Sequence, residues 1–290
     1  MTRIGIVGSD NSHAIAFSKL CNVLSGELHV EGASVVALFG LDAARNREVA
    51  TEGKIPTTVE RPEDMIGMVD AVLVVFRHGG LHRQYAEPFL RAKIPTFIDK
   101  PLAISTADAR ALLDLAATSG TPLTSFSTLR YAVDMRGFVK DMGEKGKITS
   151  AVFSGPADRK SEYGGLPFYG IHTVEMMEAL HGAGVKRVHA VEREKTIVVT
   201  AEYEDDRIVT LNFLGDAAYV FHMLAFAKDG WISRALDAST CYRDGLEVVL
   251  GMVRTGTVPL AAKELFEPVA ILTGIEKSLA TGRAVDIERL

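Results

Sequence analysis

Along the first 125 residues, short runs of apolar and β-branched residues alternate with longer segments whose apolar positions recur at helical spacing. This alternation is typical of βαβ units, in which helices cover both faces of a parallel sheet. The predicted strands are residues 3–7, 34–39, 70–76, 96–98 and 122–126. The predicted helices are residues 12–24, 42–51, 81–92 and 105–118. We therefore predict an α/β Rossmann domain with a doubly wound parallel sheet.

After residue 126 the pattern changes, because apolar runs follow one another with few helical segments between them. Consecutive strands with short links pair antiparallel, and the segments 204–206 and 229–230 are typical of hairpin turns. The predicted strands are residues 148–154, 185–193, 196–203, 207–213 and 218–226, and the predicted helices are residues 131–142, 171–180, 242–254 and 261–280. We predict an α+β domain with a large, mainly antiparallel open sheet. The domains are assigned to residues 1–123 and 124–290.

Composition and charge narrow the function classes. With 37 acidic and 32 basic residues the net charge is −5, which leaves no basic surplus to neutralise a nucleic-acid backbone. Cys21 and Cys241 are the only cysteines, too few for a disulfide framework and typical of a reducing compartment. No apolar stretch approaches the roughly 18 residues of a membrane span, and the N-terminus does not resemble a secretory signal. We expect a cytoplasmic protein with neither nucleic-acid nor membrane partners.

The segment 8–13, Gly-Ser-Asp-Asn-Ser-His, lies between the first strand and the first helix, where a Rossmann domain binds phosphate. Of the three glycines in the G-x-G-x-x-G fingerprint only the first is present, and Asp10 and His13 occupy the other two positions. A carboxylate aimed at a pyrophosphate would repel it, so Asp10 either turns away or weakens binding. The helix N-terminus still offers free N–H groups. The alternative is a segment that only forms a turn and a cap. The cofactor-binding candidates here are Gly8, Ser9, Asp10, Asn11, Ser12 and His13.

The end of the second strand leaves the choice between NAD and NADP open. Gly40 stands where an acidic residue would hold the ribose hydroxyls of NAD. Asp42, two residues later, either takes that role or caps the next helix. Arg45 and Arg47 leave room for the 2′-phosphate of NADP.

Two further segments reach the carboxyl edge of the predicted sheet, where ligands of open α/β sheets bind. They are residues 76–82 and 98–101. Pro101 favours an extended backbone at Lys100, which would direct its ammonium out of the strand end toward a substrate hydroxyl. The alternative for Lys100 is an ordinary surface lysine paired with Asp99. The cofactor-binding candidates at this edge are Phe76, Arg77, His82, Asp99, Lys100 and Pro101.

The sequence resembles the Gfo/Idh/MocA family over essentially its whole length. The resemblance rests on the order and spacing of the motif 99–101, the segment 76–82 with its downstream histidine, Arg130, and the segment 278–283. It implies a Rossmann domain joined to a domain with a large open sheet. It also implies oxidation or reduction of a sugar or polyol carbon with NAD or NADP.

The resemblance also implies catalytic residues. Lys100 and His172 would form the proton-handling pair, the imidazole accepting the hydroxyl proton and the ammonium polarising the oxygen. Phe168 stands where the family has an aspartate four residues before the histidine, and Tyr169 is a candidate substitute. Arg130 and Tyr169 would join Lys100 and His172 in binding the substrate.

Other constellations are weaker. His172 and Glu175 are three residues apart and could form half of a metal site, but further ligands are missing, so we expect no metal. Glu175 would instead orient His172 or cap a nearby backbone group.

Two alternatives to a dehydrogenase or reductase remain. The departures at Asp10, His13, Gly40 and Phe168 favour a nucleotide- or sugar-binding regulatory module without efficient redox activity. A lyase or glycosidase that uses tightly held NAD transiently is the other. In each case the expected partner is a carbohydrate-like small molecule. We also expect a homodimer or homotetramer, since the second sheet has too few helices to cover both faces.

Overall fold

The computed structural model describes all 290 residues and contains two sheets. The first sheet has six parallel strands in the order β3-β2-β1-β4-β5-β6. Its strands are β1 (Thr2–Val7), β2 (Ala33–Phe39), β3 (Thr57–Thr58), β4 (Ala71–Val74), β5 (Thr96–Asp99) and β6 (Leu123–Phe126). The helices between them are α1 (Ser12–Asn22), α2 (Ala43–Glu52), α3 (His82–Arg91) and α4 (Thr106–Ser119). The predicted doubly wound sheet is confirmed.

The order of the strands positions a ligand site. The chain runs outward in one direction from β1 through β2 to β3 and in the other from β4 to β6, so a crevice opens beyond the carboxyl ends of β1 and β4. Two details differ from the predicted pattern. Strand β3 has only two residues, too few for an apolar run to reveal it. Strand β6 pairs with β5, so residues 124–126 belong to the first sheet although the sequence-based boundary assigned them to the second domain.

The second sheet has seven strands in the order β12-β11-β7-β10-β9-β8-β13. Its strands are β7 (Ile148–Pro156), β8 (Val185–Arg193), β9 (Thr196–Tyr203), β10 (Ile208–Leu214), β11 (His222–Ala227), β12 (Gly230–Ala235) and β13 (Val285–Asp286). The helices of this part are α5 (Val133–Gly143), α6 (Pro167–His181), α7 (Cys241–Thr255) and α8 (Ala262–Thr281). Neighbouring strands are antiparallel except β7 and β10, which pair in parallel, so the sheet is mainly antiparallel as predicted.

Helices cover one face of this second sheet. Alternate residues of β9 are buried beneath them, from Ile197 to Tyr203. The opposite face bears large apolar side chains in contact with solvent, including Val191, Val198, Phe226 and Trp231. This opposite face is called the open face below.

The two sheets share one core. A single cluster of 76 buried apolar residues runs through both parts of the chain, so the domains meet through packed side chains. Helices α1 and α7, one from each domain, are in contact. No helix combines the length and the apolar composition needed to cross a bilayer.

Candidate active site

A cleft of about 330 Å³ lies where the two domains meet. Its walls come from the segments that follow β1, β4, β5 and β6, from the start of α6, from the chain before β11 and from the start of α7. Such a volume is in the range of small-molecule sites. The structure brings Asn11, Ser12, His13, Arg77, Lys100, Tyr169 and His172 together around this cleft.

The turn after β1 has the backbone that phosphate binding requires at its first position. Gly8 has φ +112°, and a Cβ there would lie 2.7 Å from the backbone nitrogen of Phe76. Only glycine fits such an approach without distortion. Asp10 is turned toward the loop after β4, where its Oδ2 accepts a hydrogen bond from the Arg77 backbone N–H at 3.2 Å. Asn11 caps α1 by accepting from the His13 N–H at 3.2 Å.

The end of β2 has no room for an acidic side chain. A Cβ on Gly40 would lie 2.1 Å from Ser9 Oγ and 2.2 Å from Asn46 Oδ1. Asp42 caps α2, since its Oδ1 accepts from the Arg45 backbone N–H at 2.8 Å. The Arg45 guanidinium reaches back to the phosphate turn, where Nε donates to the carbonyl of Ser9 at 2.9 Å.

Lys100 leaves the end of β5 and enters the cleft, and it is only 5% exposed. Its Nζ donates to the carbonyl of Phe168 at 2.9 Å and lies 4.6 Å above the Phe168 ring and 5.3 Å above the Tyr169 ring. Burial lowers the pKa of Lys100, and the charges of Asp99 and Glu175 oppose that shift. The Lys100–Pro101 peptide bond is cis.

His172 faces Lys100 from the first turns of α6 and is hydrogen-bonded from behind. Its Nδ1 lies 2.6 Å from Ser127 Oγ. Burial, together with the positive charges of Lys100 and His13, places the pKa of His172 well below its ordinary value, so the imidazole is neutral. Glu175 accepts a hydrogen bond from the Ser127 backbone N–H at 2.9 Å. Glu175 therefore caps a backbone group, one of the two roles predicted for it.

His13 is held on both sides of its ring. Its Nδ1 lies 2.6 Å from Asp99 Oδ2, and its Nε2 lies 3.0 Å from the Tyr242 hydroxyl. Asp99 is completely buried, and Asn11 Nδ2 also donates to its Oδ2 at 3.2 Å. Burial acts to raise the pKa of Asp99, but the charge and hydrogen bond of His13 and the charge of Lys100 lower it below its ordinary value. Asp99 is thus an ionised carboxylate beneath the cleft.

The side chains of His82 and Phe76 do not line the cleft. His82 is completely buried, and its ring nitrogens lie 2.8 Å and 2.9 Å from the carbonyl oxygens of Pro101 and Phe76. The Phe76 side chain is buried against Tyr85, with ring centroids 4.6 Å apart. Both side chains hold the strand ends in place, and cofactor binding by His82 and Phe76 stays a prediction.

Arg130, predicted to bind substrate, is not among the residues that line the cleft. Its guanidinium is buried away from the cleft, among carboxylates of Glu175 and Glu178 at 3.9 Å and of Glu264 at 4.0 Å. At these distances the acids surround the guanidinium without a direct hydrogen bond to Nη1. Burial raises the pKa of Glu175 to about 7 and that of Glu178 well above its ordinary value. Arg130 offsets part of both shifts.

The sequence did not identify the aromatic walls of the cleft. Tyr163 contacts Arg77, whose Nη1 donates to the Tyr163 hydroxyl at 3.1 Å, and the guanidinium lies 4.8 Å above its ring. Tyr219, Phe221 and Tyr242 line the opposite side. These residues come from loops and a helix start, where no periodicity marks a side chain as facing a ligand. Tyr163 ends a polar segment, residues 159–163, that precedes Gly164.

Comparison with known proteins gives a family match to the first domain and a match to a curated relative. The model of an oxidoreductase family with an NAD-binding Rossmann fold matches residues 2–126. The 1,5-anhydro-D-fructose reductase of Ensifer adhaerens is 32% identical over 125 residues, which are 42% of this chain and 37% of that enzyme. The match thus spans little more than a third of the relative's length.

Solved structures extend the similarity of the fold to the whole chain. Scyllo-inositol dehydrogenase from Lactobacillus casei with bound NAD(H) and scyllo-inositol has 16% identity and a TM-score of 0.87, covering 99% of both chains. Myo-inositol 2-dehydrogenase from Lactobacillus plantarum has 18% identity and a TM-score of 0.85, again covering 99% of both chains. These likenesses confirm the fold class predicted from the sequence.

Proposed function

We propose that the protein is an NAD(P)-dependent dehydrogenase or reductase of a sugar-like or polyol small molecule, since residues 2–126 match the model of the Gfo/Idh/MocA oxidoreductase family with its NAD-binding Rossmann fold. The observation that carries the proposal is the position of Lys100. Its ammonium is buried in the interdomain cleft beside His172, at the carboxyl end of β5. A buried ammonium with N–H groups directed into a cleft suits a neutral oxygen-rich ligand.

The residues around the phosphate turn fit a dinucleotide. Gly8 supplies the close turn, and the Asp10 carboxylate is engaged by the Arg77 N–H. The first turn of α1 would face the pyrophosphate, with Ser9, Asn11 and Ser12 beside it. When bound, the nicotinamide supplies the hydride acceptor or donor. Whether Asp42 contacts the ribose depends on release of its cap hydrogen bond to Arg45.

We assign three roles within the cleft. Lys100 polarises the reacting oxygen of the substrate, since its ammonium is the one cationic group buried there. His172 hydrogen-bonds the same oxygen from the other side. Tyr169, whose ring lies 5.6 Å from that of His172, forms the wall that keeps both groups in place.

The test begins with calorimetric titration of the protein with NADH and NADPH. It continues with a rate measurement using myo-inositol or scyllo-inositol and the oxidised cofactors, and 1,5-anhydro-D-fructose and the reduced ones. We chose these compounds because the relatives are named for acting on or binding them. Cofactor binding with turnover of at least one compound supports the proposal. Cofactor or sugar binding without any turnover supports a regulatory module, which the engaged side chains of Asp10 and Asn11 would favour. Product without net change of the cofactor supports a lyase or glycosidase that uses NAD transiently.

The open face supports a homodimer or homotetramer. Trp231 is 63% exposed and Val198 and Phe226 are each more than 40% exposed on that face. Apolar side chains on an otherwise well-formed sheet are typical of a surface that is covered by a partner. A second copy of the chain placing its own open face against this one would bury them symmetrically.

A cytoplasmic location is the last part of the proposal. Cys21 and Cys241 are both unpaired and buried. Free thiols persist in a reducing compartment. Cell fractionation that recovers the protein with the membrane or secreted fraction would contradict this location.

A further inference from the structure

The two histidines of the cleft have opposite hydrogen-bonding arrangements. Ser127 Oγ accepts a hydrogen bond from the Leu129 N–H at 3.3 Å and lies 2.6 Å from His172 Nδ1. Nδ1 is the one hydrogen-bond partner of Ser127 Oγ that can accept its hydrogen, so we assign Nδ1 of the neutral His172 as the acceptor and place the ring hydrogen on Nε2. His172 can therefore donate a hydrogen bond into the cleft, but in this tautomer it has no nitrogen free to accept a proton there.

His13 has the reverse arrangement. The ionised carboxylate of Asp99 accepts from Nδ1 at 2.6 Å, so in the neutral form of the His13 ring the hydrogen is on Nδ1 and Nε2 has none. That nitrogen accepts the hydrogen of the Tyr242 hydroxyl at 3.0 Å. The Tyr242 ring is fixed edge-on against His13 and Phe17, with ring centroids 4.8 Å and 5.8 Å apart. Tyr242 belongs to α7 of the second domain and lines the cleft beside Lys100.

We propose that Asp99, His13 and Tyr242 form the proton-accepting relay of the reaction, so that Tyr242 is a catalytic residue and His13 acts through it. The inference rests on the proposed function and specifies its acid–base chemistry. When a substrate carbinol is oxidised, its O–H bond breaks and the proton passes to Tyr242 Oη. The original Tyr242 O–H bond breaks, and that hydrogen moves to His13 Nε2. The carbonyl forms as the carbon loses its hydride with two electrons, for which the nicotinamide of the proposed cofactor would be the acceptor.

The surroundings of the relay suit this transfer. The imidazolium formed at His13 is neutralised by the carboxylate of Asp99, as in other carboxylate–histidine pairs that support a hydroxyl. Burial raises the pKa of Tyr242, so the phenolate is unfavourable. Tyr242 therefore takes up the substrate proton as it gives its own proton to His13. Lys100 and His172 remain as the hydrogen-bond donors that polarise the same oxygen. His13, at the third glycine position of the fingerprint, thus has a chemical role that glycine could not have.

The first experiment places the protons without any cofactor. Side-chain ¹⁵N NMR of histidine-labelled protein, assigned with His13→Gly and His172→Gln, should show His13 protonated at Nδ1 and His172 at Nε2. A His172 protonated at Nδ1, or a His13 protonated only at Nε2, would overturn the inference.

The second experiment uses the compound of the panel above that gives the highest rate. Tyr242→Phe and His13→Gly should each lower kcat about 100-fold or more and change KM less than about threefold, since proton transfer by a positioned group contributes ~10²–10⁴-fold. Added imidazole should restore turnover to His13→Gly but not to Tyr242→Phe. Two control variants lie outside the cleft. His29→Ala removes an imidazole and Tyr203→Phe removes a hydroxyl, each with one hydrogen bond, and both should retain the wild-type kcat.

The outcomes separate the two proposals. If the wild-type protein turns over none of the compounds, the proposed function and this inference both fail. If it does, and Tyr242→Phe and His13→Gly keep kcat within about threefold, the inference alone fails and His172 is the remaining acceptor. Loss of kcat in His13→Gly that imidazole does not restore would assign His13 a purely structural role and also overturn the relay.

Discussion

Lys100 and Phe168 are joined twice, by a hydrogen bond of 2.9 Å from Nζ to the Phe168 carbonyl and by the position of the ammonium 4.6 Å above the Phe168 ring. The family that this chain resembles has an aspartate at position 168, and here the backbone carbonyl and the aromatic face take part of its place beside the lysine. The exchange leaves the cleft with one carboxylate fewer. Asp99 is a carboxylate in direct contact with a side chain that lines the cleft, that of His13.

The tight turn at Gly8 gives a prediction about stability. Gly8→Ala places a Cβ 2.7 Å from the Phe76 nitrogen on a backbone with φ +112°. We expect a loss of about 1–3 kcal/mol in the free energy of unfolding from backbone strain and the contact. Urea unfolding measures this. Gly143→Ala is the matched control, since a Cβ there meets no atom within 4 Å, and it should be neutral or slightly stabilising.

The carboxylate of Asp10 gives a prediction about cofactor affinity. It lies at the second position of the fingerprint and would face an anionic pyrophosphate even while it accepts from the Arg77 N–H. Asp10→Asn keeps an acceptor for Arg77 and removes the charge, so we expect NADH and NADPH to bind about five times more tightly, equivalent to ~1 kcal/mol. Calorimetry measures this at low salt. Unchanged affinity in both Asp10→Asn and Asp10→Gly would show that the carboxylate does not face the cofactor.

The buried acids near Arg130 predict how stability depends on pH. Burial raises the pKa of Glu175 from an ordinary 4.5 to about 7, so between these values the folded chain holds a proton that the unfolded chain has lost. Its contribution to stability is fully present below about pH 4.5 and is lost as the pH rises to about 7.

Glu175→Gln keeps the acceptor for the Ser127 N–H and should therefore flatten this decline. The difference in free energy of unfolding between the variant and wild type should be on the order of 2–3 kcal/mol more favourable to the variant at pH 8 than at pH 5. Unfolding midpoints in urea across this range provide the measurement. Glu144→Gln, on an exposed residue, should follow the wild-type curve. Parallel curves for Glu175→Gln and wild type would mean that Glu175 is ionised throughout.

The exposed apolar side chains of the open face predict a homo-oligomer, which a single charged substitution on that face should prevent. Trp231 is 63% exposed on β12, and Trp231→Glu places a carboxylate in the surface that we propose to be buried between copies. Light scattering should find the wild-type protein as a dimer or tetramer of the 31.3 kDa chain and the variant as a monomer. A wild-type protein that is monomeric at micromolar concentration would contradict the proposed assembly.

Local patterns were sufficient to predict the first domain and the position of Lys100. The alternation of strands and helices, and a proline after Lys100, depend on neighbouring residues alone, and the structure places Lys100 at the strand end in the cleft. Most elements of the second sheet were also predicted close to their observed bounds. The parallel pairing of β7 with β10 was not predicted, because the partner strand lies some fifty residues further along the chain.

The interior contacts of two predicted site residues depend in the same way on distant parts of the chain. Arg130 and His82 carry groups typical of ligand contacts, but residues distant in sequence, such as Glu264 and Pro101, engage them in the interior. Tyr242 was missed for the converse reason. It is 229 residues from His13, and no short motif indicates that α7 meets α1. The hydrogen-bond partner of a buried polar group depends on the packing of the whole chain, and a local sequence pattern does not reveal it.

Lys100→Met tests the central claim most directly, because it removes the buried ammonium and keeps a side chain of similar length. With the best compound of the panel, we expect kcat to fall about 100-fold or more while the affinity for the nicotinamide cofactor changes less than about threefold. Lys277→Met, on an exposed lysine of α8, is the control and should match the wild type. Undiminished turnover in Lys100→Met would contradict the proposal that this cleft, organised around Lys100, is the site of an oxidoreductase.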